Sequence, residues 1–170
     1  MKLIQFIALI QTFLLIVDYC SAEIFVSRFE GKWCEYKKSR YHVVEVMRDL
    51  NFSRELIHAY LYGRPASLHI QYIPSHSQHV LDGQHPTGRH HQLYFHRTQN
   101  QRYRISFFGA HIWFISSYDN HGLNMAFYKR YHDAHPYIKL RITKGHTGYL
   151  RLLITSQKSG IFGLSDFSQC

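Results

Sequence analysis

The sequence predicts an all-β protein, an antiparallel barrel with one α-helix near its C-terminus. Three observations support this prediction. After Pro65, apolar residues alternate with polar ones over several short stretches, which is typical of strands that bury one face. Turn-forming residues separate these stretches, and their spacing favours a closed meander over a parallel sheet. The last part of the chain instead spaces its apolar residues at a helical period.

Residues 1–22 have the pattern of a secretory signal peptide. Lys2 gives a positive start, the stretch from Leu3 to Val17 is mostly apolar, and Ser21-Ala22 resembles a cleavage site. The apolar stretch is shorter than a membrane-spanning helix requires. We therefore expect a secreted, extracellular protein with one domain, residues 23–170.

The cysteines agree with secretion. Cys20 leaves with the signal peptide, so the mature chain keeps Cys34 and Cys170. In an oxidising compartment an even pair favours one disulfide, with two free thiols as the alternative. Asn51-Phe52-Ser53 is a glycosylation sequon with Asn51 as acceptor.

The chain is basic, with 20 Lys and Arg residues against 11 Asp and Glu and a net charge of +9. This charge can attract an anionic membrane or a glycan. No basic block stands beside stacking aromatic residues in a nucleic-acid-binding pattern, so we expect no nucleic-acid partner. We expect a monomer.

The first strand is predicted to close one end of the barrel. Gly31-Lys32-Trp33 allows a close backbone bend and supplies a large indole for the barrel floor. A stacked guanidinium would cap the indole, and Arg141 is the candidate. Because side chains alternate along a strand, an inward Trp33 makes Cys34 point outwards.

Residues 41–63 allow two interpretations. Their apolar residues fit two consecutive helices, with Asn51 and Ser53 breaking and capping between them. Alternatively, the stretch from Glu55 to Tyr62 is a strand with apolar residues on both faces. The sequence alone leaves both interpretations open.

The remaining elements follow from period and turn chemistry. Strands are predicted at Ser67–Tyr72, Gln92–Arg97, Arg102–Phe108, His111–Ser116, Leu123–Phe127 and Ile138–Leu140. Residues 75–88, rich in Ser, Gly, Asp, Pro and His, are predicted as a loop. Near the end, Thr147 can cap a helix with the apolar face Leu150, Leu153 and Ile154, and Gly160 fits the position after its last turn.

Three of these segments resemble the motifs of the lipocalin family. Gly31-Lys32-Trp33 resembles the first motif, Ser117-Tyr118-Asp119-Asn120 the second, and Arg141 the third. The second motif departs from the family's usual Thr-Asp-Tyr, because Tyr118 precedes Asp119 and a Ser replaces the Thr. The resemblance implies an eight-stranded up-and-down barrel with the C-terminal helix packed outside, around a cavity for a lipid, fatty acid or pigment.

Residues 31–70 also resemble a fatty-acid-binding protein, whose first strand carries the same Gly-x-Trp sequence and is followed by two short helices. That family closes its barrel with a final strand and lacks a C-terminal helix. The helix predicted after Gly145 therefore favours the lipocalin interpretation. Both families build small barrels around a ligand cavity.

The inward apolar residues of the alternating stretches should line the cavity. They are Leu68, Ile70, Tyr72, Leu93, Phe95, Tyr103, Ile105, Phe107, Ile112, Phe114, Leu123, Met125 and Phe127. With an open interior, we expect a carrier or scavenger of a small hydrophobic ligand. With a filled interior, we expect an interaction protein whose basic, His-rich loops bind a glycan, a metal or a protein.

The sequence gives little support to metal or catalytic chemistry. Six histidines lie between residues 75 and 97: His76, His79, His85, His90, His91 and His96. Neutral imidazole binds zinc and copper, but no tight ligand spacing occurs, so we expect solvated loop histidines, no metal site and no cofactor. No G-x-S-x-G, H-E-x-x-H or redox C-x-x-C motif is present, and we expect no enzymatic activity.

Overall fold

The computed structural model describes residues 28–76, 78–86, 88–96, 102–107, 110–119, 122–145 and 147–170. The predicted signal peptide lies outside the described residues. Within the described part of the chain, no helix is both long and apolar enough to cross a membrane.

Ten antiparallel strands form one sheet that curves into a nearly closed barrel. In chain order they are β1 (Gly31–Glu35), β2 (Ser67–Ile73), β3 (Gln78–Gln84), β4 (His90–His96), β5 (Tyr103–Phe107), β6 (Ala110–Asp119), β7 (Gly122–Tyr128), β8 (Ile138–Lys144), β9 (Leu150–Ser156) and β10 (Phe162–Gln169). Their order across the sheet is β4-β3-β2-β1-β10-β9-β8-β7-β6-β5. The first strand thus lies beside the last one.

Alternating side chains separate the inner wall of the barrel from the outer wall. In β7, Leu123, Met125 and Phe127 are buried, whereas the residues between them are only half-buried. The facing strand β8 contributes Ile138 and Ile142, both buried, in register with Phe127 and Leu123. The period-two pattern of the sequence therefore corresponds to the wall of the barrel.

The predicted C-terminal helix is wrong, and with it the count of eight strands. Residues 150–156 and 162–169 form β9 and β10 instead. The inner face of β9 consists of Leu150, Leu152, Ile154 and Ser156. The same short apolar run also fits a helical period, but in the structure its side chains alternate as in a strand. Gly160, with φ of 76°, lies in the turn between the two strands.

The predicted loop over residues 75–88 is wrong as well, because half of it, Gln78–Gln84, forms β3. Leu81 points inwards there and lies in register with Ile70 of β2 and Leu93 of β4. His79 and Gly83 take the neighbouring inward positions, and neither residue type is a strong signal for a buried strand. The strand pattern of β3 is therefore weak in the sequence, although β3 pairs with a neighbouring strand on both sides.

Residues 41–63 form two helices, α1 (Val43–Asp49) and α2 (Arg54–Tyr62), and the strand alternative is wrong. Asn51 adopts a left-handed conformation with φ of 57°, which ends the first helix. The Ser53 hydroxyl accepts a hydrogen bond from the Leu56 N–H at 3.2 Å and caps the second. Val46 of α1 and Leu50, which follows the end of that helix, are buried in the barrel core.

Trp33 is buried at 1% exposure, but Arg141 does not cap it. Arg141 alternates with Leu140 and Ile142 and lies with Lys139 and Leu153 on the outer wall. The Lys144 ammonium lies 5.1 Å from the centre of the indole ring instead. Lys144 points inwards, as a cation stacked on Trp33 must. Its Nζ also donates to the Arg28 carbonyl at 2.8 Å.

Cys34 and Cys170 form the predicted disulfide, with their Cα atoms 5.6 Å apart. Trp33 and Glu35 on either side of Cys34 are buried, so Cys34 has the outward phase that the alternation predicts. Cys170 follows the end of β10, which pairs with β1. The bond therefore links the first strand of the barrel covalently to the end of the last strand, with which it is paired.

Candidate ligand-binding cavity

An apolar cavity of about 200 Å³ lies between the two helices and the barrel wall. Its wall combines residues of the helices, such as Met47 and Tyr60, with inward residues of β2, β3, β4, β7, β8, β9 and β10. The apolar side chains that line it are Val43, Met47, Phe52, Ala66, Leu68, Leu81, Leu93, Phe127, Ile138, Leu140, Leu152, Ile154 and Phe167. Such a lining favours hydrophobic ligands.

One end of the cavity is formed by a buried polar network around Glu35. The Glu35 carboxylate, which is 5% exposed, accepts hydrogen bonds from Arg40 Nε at 2.8 Å and from Arg40 Nη2 at 2.5 Å. It also accepts from Tyr60 OH at 2.9 Å, Ser165 Oγ at 2.6 Å and the Ala66 N–H at 2.9 Å. The network joins β1, α2 and β10 at one point.

These contacts decide the charge state of the network. Burial raises the pKa of Glu35, but the hydrogen bonds from Arg40, Ser165 and Ala66 outweigh burial and leave the pKa below its usual value. Burial, followed by the nearby Glu35 charge, raises the pKa of the Tyr60 hydroxyl. At neutral pH the group is therefore an ion pair of Glu35 and Arg40 with a protonated Tyr60.

The cavity wall also carries neutral polar groups of β2 and the β3–β4 hairpin. They are Ser67, Gln84, His85 and His91. Burial lowers the pKa of His85 to about 4 and also lowers the pKa of His91. Both imidazoles are therefore neutral at physiological pH.

The helices that cover the cavity are fastened to the barrel by polar contacts. Asp49 at the end of α1 accepts hydrogen bonds from the hydroxyls of Ser156 and Ser159. Tyr137 donates to the carbonyl of Leu50. Gly163 lies so close to α1 that a Cβ atom there would stand 2.8 Å from the Val43 backbone. The absence of a side chain at Gly163 therefore allows α1 to pack closely on β10.

Of the predicted cavity residues, the structure places Leu68, Leu93 and Phe127 on the cavity wall. Ile70, Phe114, Leu123 and Met125 are buried in the core, and Ile105 and Ile112 pack against it. Tyr103 has the inward phase but is 41% exposed, and Tyr72 packs its ring on His79 with centroids 4.8 Å apart. The side chains of Phe95 and Phe107 lie outside the described part of the structure.

The polar network around Glu35 was missed by the sequence analysis. Its one available signal is parity, because Glu35 lies two residues after the inward Trp33 and must also point inwards. Its partners Arg40, Tyr60 and Ser165 are separated in the sequence by loops and helices, so no local spacing links them. The partner set could not be inferred without the fold.

The expectation of solvated loop histidines is wrong for three of the six. His79 is 5% exposed, burial lowers its pKa to about 4, and His85 and His91 line the cavity. His90 is exposed and lies 3.3 Å from Asp82, whereas the side chains of His76 and His96 are outside the described set. Among the described residues, no three His, Cys, Asp or Glu side chains converge as metal ligands would.

The other predicted motif residues are Gly31, Tyr118 and Asp119, together with Asn51 of the sequon. Gly31 has φ of 127°, which a residue with a side chain rarely adopts. Tyr118 and Asp119 end β6, and their side chains lie outside the described part. Asn51 is exposed between the helices, where a glycosylation acceptor would be accessible.

Solved structures with the same fold are barrels of the fatty-acid-binding-protein type. The fluorescent protein UnaG matches with a TM-score of 0.69 and 11% identity, over 85% of this chain and 99% of that chain. The fatty-acid-binding protein of Manduca sexta matches with 0.64 and 7%, over 82% and 97%. Zebrafish ileal bile acid-binding protein complexed with cholic acid matches with 0.63 and 12%, over 84% and 99%.

The described residues of this chain, with ten strands and two α-helices, therefore have the same barrel fold as these fatty-acid-binding-protein structures. No protein-family model matches the chain, and no curated protein sequence does. The identities to the solved structures are so low that the likeness concerns the fold alone. The lipocalin interpretation relied on a C-terminal helix, and two strands occupy that segment.

Proposed function

We propose that this protein is a secreted binder of a small hydrophobic molecule, held in the cavity beneath the two helices. The observation that carries the proposal is the 200 Å³ cavity with its apolar wall. Solved neighbours of the same fold include a fatty-acid-binding protein and a bile acid-binding protein in complex with cholic acid. Both neighbours are binding proteins, which agrees with a binding rather than an enzymatic function.

The size of the cavity limits the ligand. An apolar cavity of about 150 Å³ is large enough to hold benzene, whereas pockets for drug-sized ligands measure roughly 300–1,000 Å³. The cavity of 200 Å³ therefore suits a compact molecule with one or two rings, or a short chain. A long-chain fatty acid would require the packed core residues of the barrel, such as Phe114 and Met125, to move.

A paired substitution on β9 tests the site. Leu152 points into the cavity, and its neighbour Leu153 lies on the outer wall. We expect 6-fluoroindole, followed by 19F NMR, to bind with one-to-one saturation. Leu152→Trp should fill the cavity and abolish binding, whereas Leu153→Trp should retain it. Equal binding by both variants, or binding that does not saturate, would contradict the proposed site.

Secretion is supported by the pattern of residues 1–22 and by the cysteine pair. We expect the protein exported from a eukaryotic host to begin at Glu23 and to be a monomer. Asn51 should carry a glycan, because it is exposed and lies in a sequon. N-terminal sequencing checks the cleavage site, and the mass change after enzymatic deglycosylation checks the glycan. An N-terminus other than Glu23, or an unchanged mass, would contradict the corresponding expectation.

A second candidate function is contact with an anionic membrane through the outer surface of the helices. A groove there is lined by Arg48, Arg54 and His58, and it carries the exposed apolar residues Leu61 and Tyr62. Cations beside exposed apolar side chains favour anionic lipid surfaces. Replacing both arginines with Ser should abolish binding to phosphatidylserine vesicles, measured by co-sedimentation. The same variant should bind 6-fluoroindole as the wild type does. Binding to a glycan array instead would favour a carbohydrate partner.

A further inference from the structure

The charges that face the cavity decide which hydrophobic molecules it accepts. Among the described residues that line it, Glu35 is the one with a charged side chain at neutral pH. A ligand with an ionic group would therefore have to interact with Glu35 or with the Arg40 beside it. Whether either residue can accept a new partner follows from their hydrogen bonds.

Glu35 has no remaining capacity for a ligand cation. A carboxylate offers about four lone-pair sites, and Glu35 already accepts five hydrogen bonds: two from Arg40 and one each from Tyr60, Ser165 and Ala66. An ammonium group would have to displace one of these donors and leave it unpaired in a buried position. Such a loss is unfavourable.

Arg40 does not line the cavity, and three of its five N–H groups are already used. Its Nε and Nη2 atoms bind Glu35, and its Nη1 donates to the Tyr60 carbonyl. The plane of the guanidinium also packs on the Tyr60 ring, with Cζ 3.7 Å from the centroid. A ligand carboxylate would therefore enter an apolar cavity next to Glu35 without a cation to pair with. Burying an unpaired carboxylate is strongly unfavourable.

We propose that the cavity selects uncharged hydrophobic molecules and excludes carboxylates and amines of the same size. This inference rests on the proposed function and names its ligand class. A neutral ligand loses no ionic hydration on entry, and a single hydroxyl or carbonyl group can face Ser67, Gln84 and the two imidazoles of the cavity wall. The ion pair of Glu35 and Arg40 thus acts as a specificity determinant because it leaves neither charge available.

Three probes of nearly equal size test the proposal: benzyl alcohol, benzoate and benzylamine. Each is titrated at pH 7 into the mature protein, and binding is followed by 1H–15N NMR shifts of cavity residues. We expect benzyl alcohol to bind at least tenfold more tightly than either ion. Binding of benzoate or benzylamine as tight as that of benzyl alcohol would overturn the proposal while the proposed function stood. Absence of binding for all three probes and for 6-fluoroindole would overturn both.

Substitution of the network should change this preference. Glu35→Gln keeps the shape of the side chain but removes its charge, so the Arg40 charge becomes available to a ligand anion. We expect the affinity for benzoate relative to benzyl alcohol to rise at least tenfold. The matched control is Asp166→Asn, which removes a carboxylate from an outer ion pair with Arg151 and should leave the ratio unchanged. An unchanged ratio in folded Glu35→Gln would overturn the role of the pair, and the wild-type comparison decides the proposal if that variant does not fold.

Discussion

The barrel interior has two parts that are built by different means. Away from the helices, Trp33, Ile70, Phe114, Leu123, Met125 and Ile142 fill the interior, each at most 5% exposed. Beneath the helices, the wall is equally apolar but encloses a cavity and ends in the Glu35 network. We call these regions the filled part and the helix-covered part. The first depends on packing, and the second depends on a few directed polar contacts.

Among the substitutions considered for the helix-covered part, Arg40→Met should destabilise the protein most. The Arg40 and Glu35 side chains are 11% and 1% exposed, so removing the cation leaves a buried carboxylate unpaired. We expect the free energy of unfolding to fall by about 3–5 kcal/mol at pH 7. Chemical denaturation measures the loss.

Its control is Arg151→Met, which breaks the Arg151–Asp166 pair on the outer wall. The Arg151 side chain is 57% exposed, and such a pair contributes about 0–1 kcal/mol because solvent screens it. Equal losses for both variants would mean that the network contributes no more than a surface ion pair.

A matched leucine pair compares the two parts directly. Leu93 on the cavity wall and Leu123 in the filled part are both 5% exposed. We expect Leu123→Ala to lower the free energy of unfolding by about 3–5 kcal/mol, and Leu93→Ala by only about 2 kcal/mol, because Leu93 already lacks packing partners on its cavity side. Leu93→Ala should also bind larger neutral probes. The reverse order of stability would show that the cavity is not open.

Gly163→Ala tests how closely the helices must pack. The added methyl group would meet the Val43 backbone at 2.8 Å, so α1 would have to shift. Overpacking of this kind costs about 1–3 kcal/mol. Hydrogen exchange should increase in α1 but not in β7. If exchange in α1 stays unchanged, close packing at Gly163 does not hold the helix.

A smaller effect is expected from pH through His79. Its folded pKa of about 4 lies below the unfolded value of 6.5, so the unfolded state takes up the proton first. Stability is therefore present above pH 6.5 and is lost as pH falls towards 4. Between pH 6.5 and 5 we expect a loss on the order of 1–2 kcal/mol.

A substitution of His79 tests this assignment. His79→Phe should flatten the dependence of the unfolding free energy on pH over that interval. Below the usual carboxyl range the lowered pKa of Glu35 acts in the same direction, since its contribution is lost as pH falls through the folded pKa. An unaltered slope in His79→Phe would assign the acid sensitivity to other groups.

The sequence predicted the filled part better than the helix-covered part. The alternation in β7 and β6 is regular because one wall faces an apolar core and the other faces solvent. Glu35 breaks that regularity, and its partners come together only through β1–β10 pairing and the packing of α2. In β9, Leu153 adds an apolar residue on the outer wall, so the run 150–154 fits two periods and its identity depends on pairing with β8 and β10. In β3, histidine and glycine occupy inward positions that sequence patterns assign to loops.

The Cys34–Cys170 bond has a consequence for the effect of proteolysis on the barrel. It joins positions separated by 136 residues, so nearly every peptide bond of the barrel lies within one covalent ring. A protease that cuts once within this ring produces two fragments that remain linked, and the β1–β10 pairing that holds them in register is unaffected by the cut. Nicked protein should keep its mass on a non-reducing gel and separate only after reduction. A single cut therefore breaks the chain without separating the two parts of the barrel.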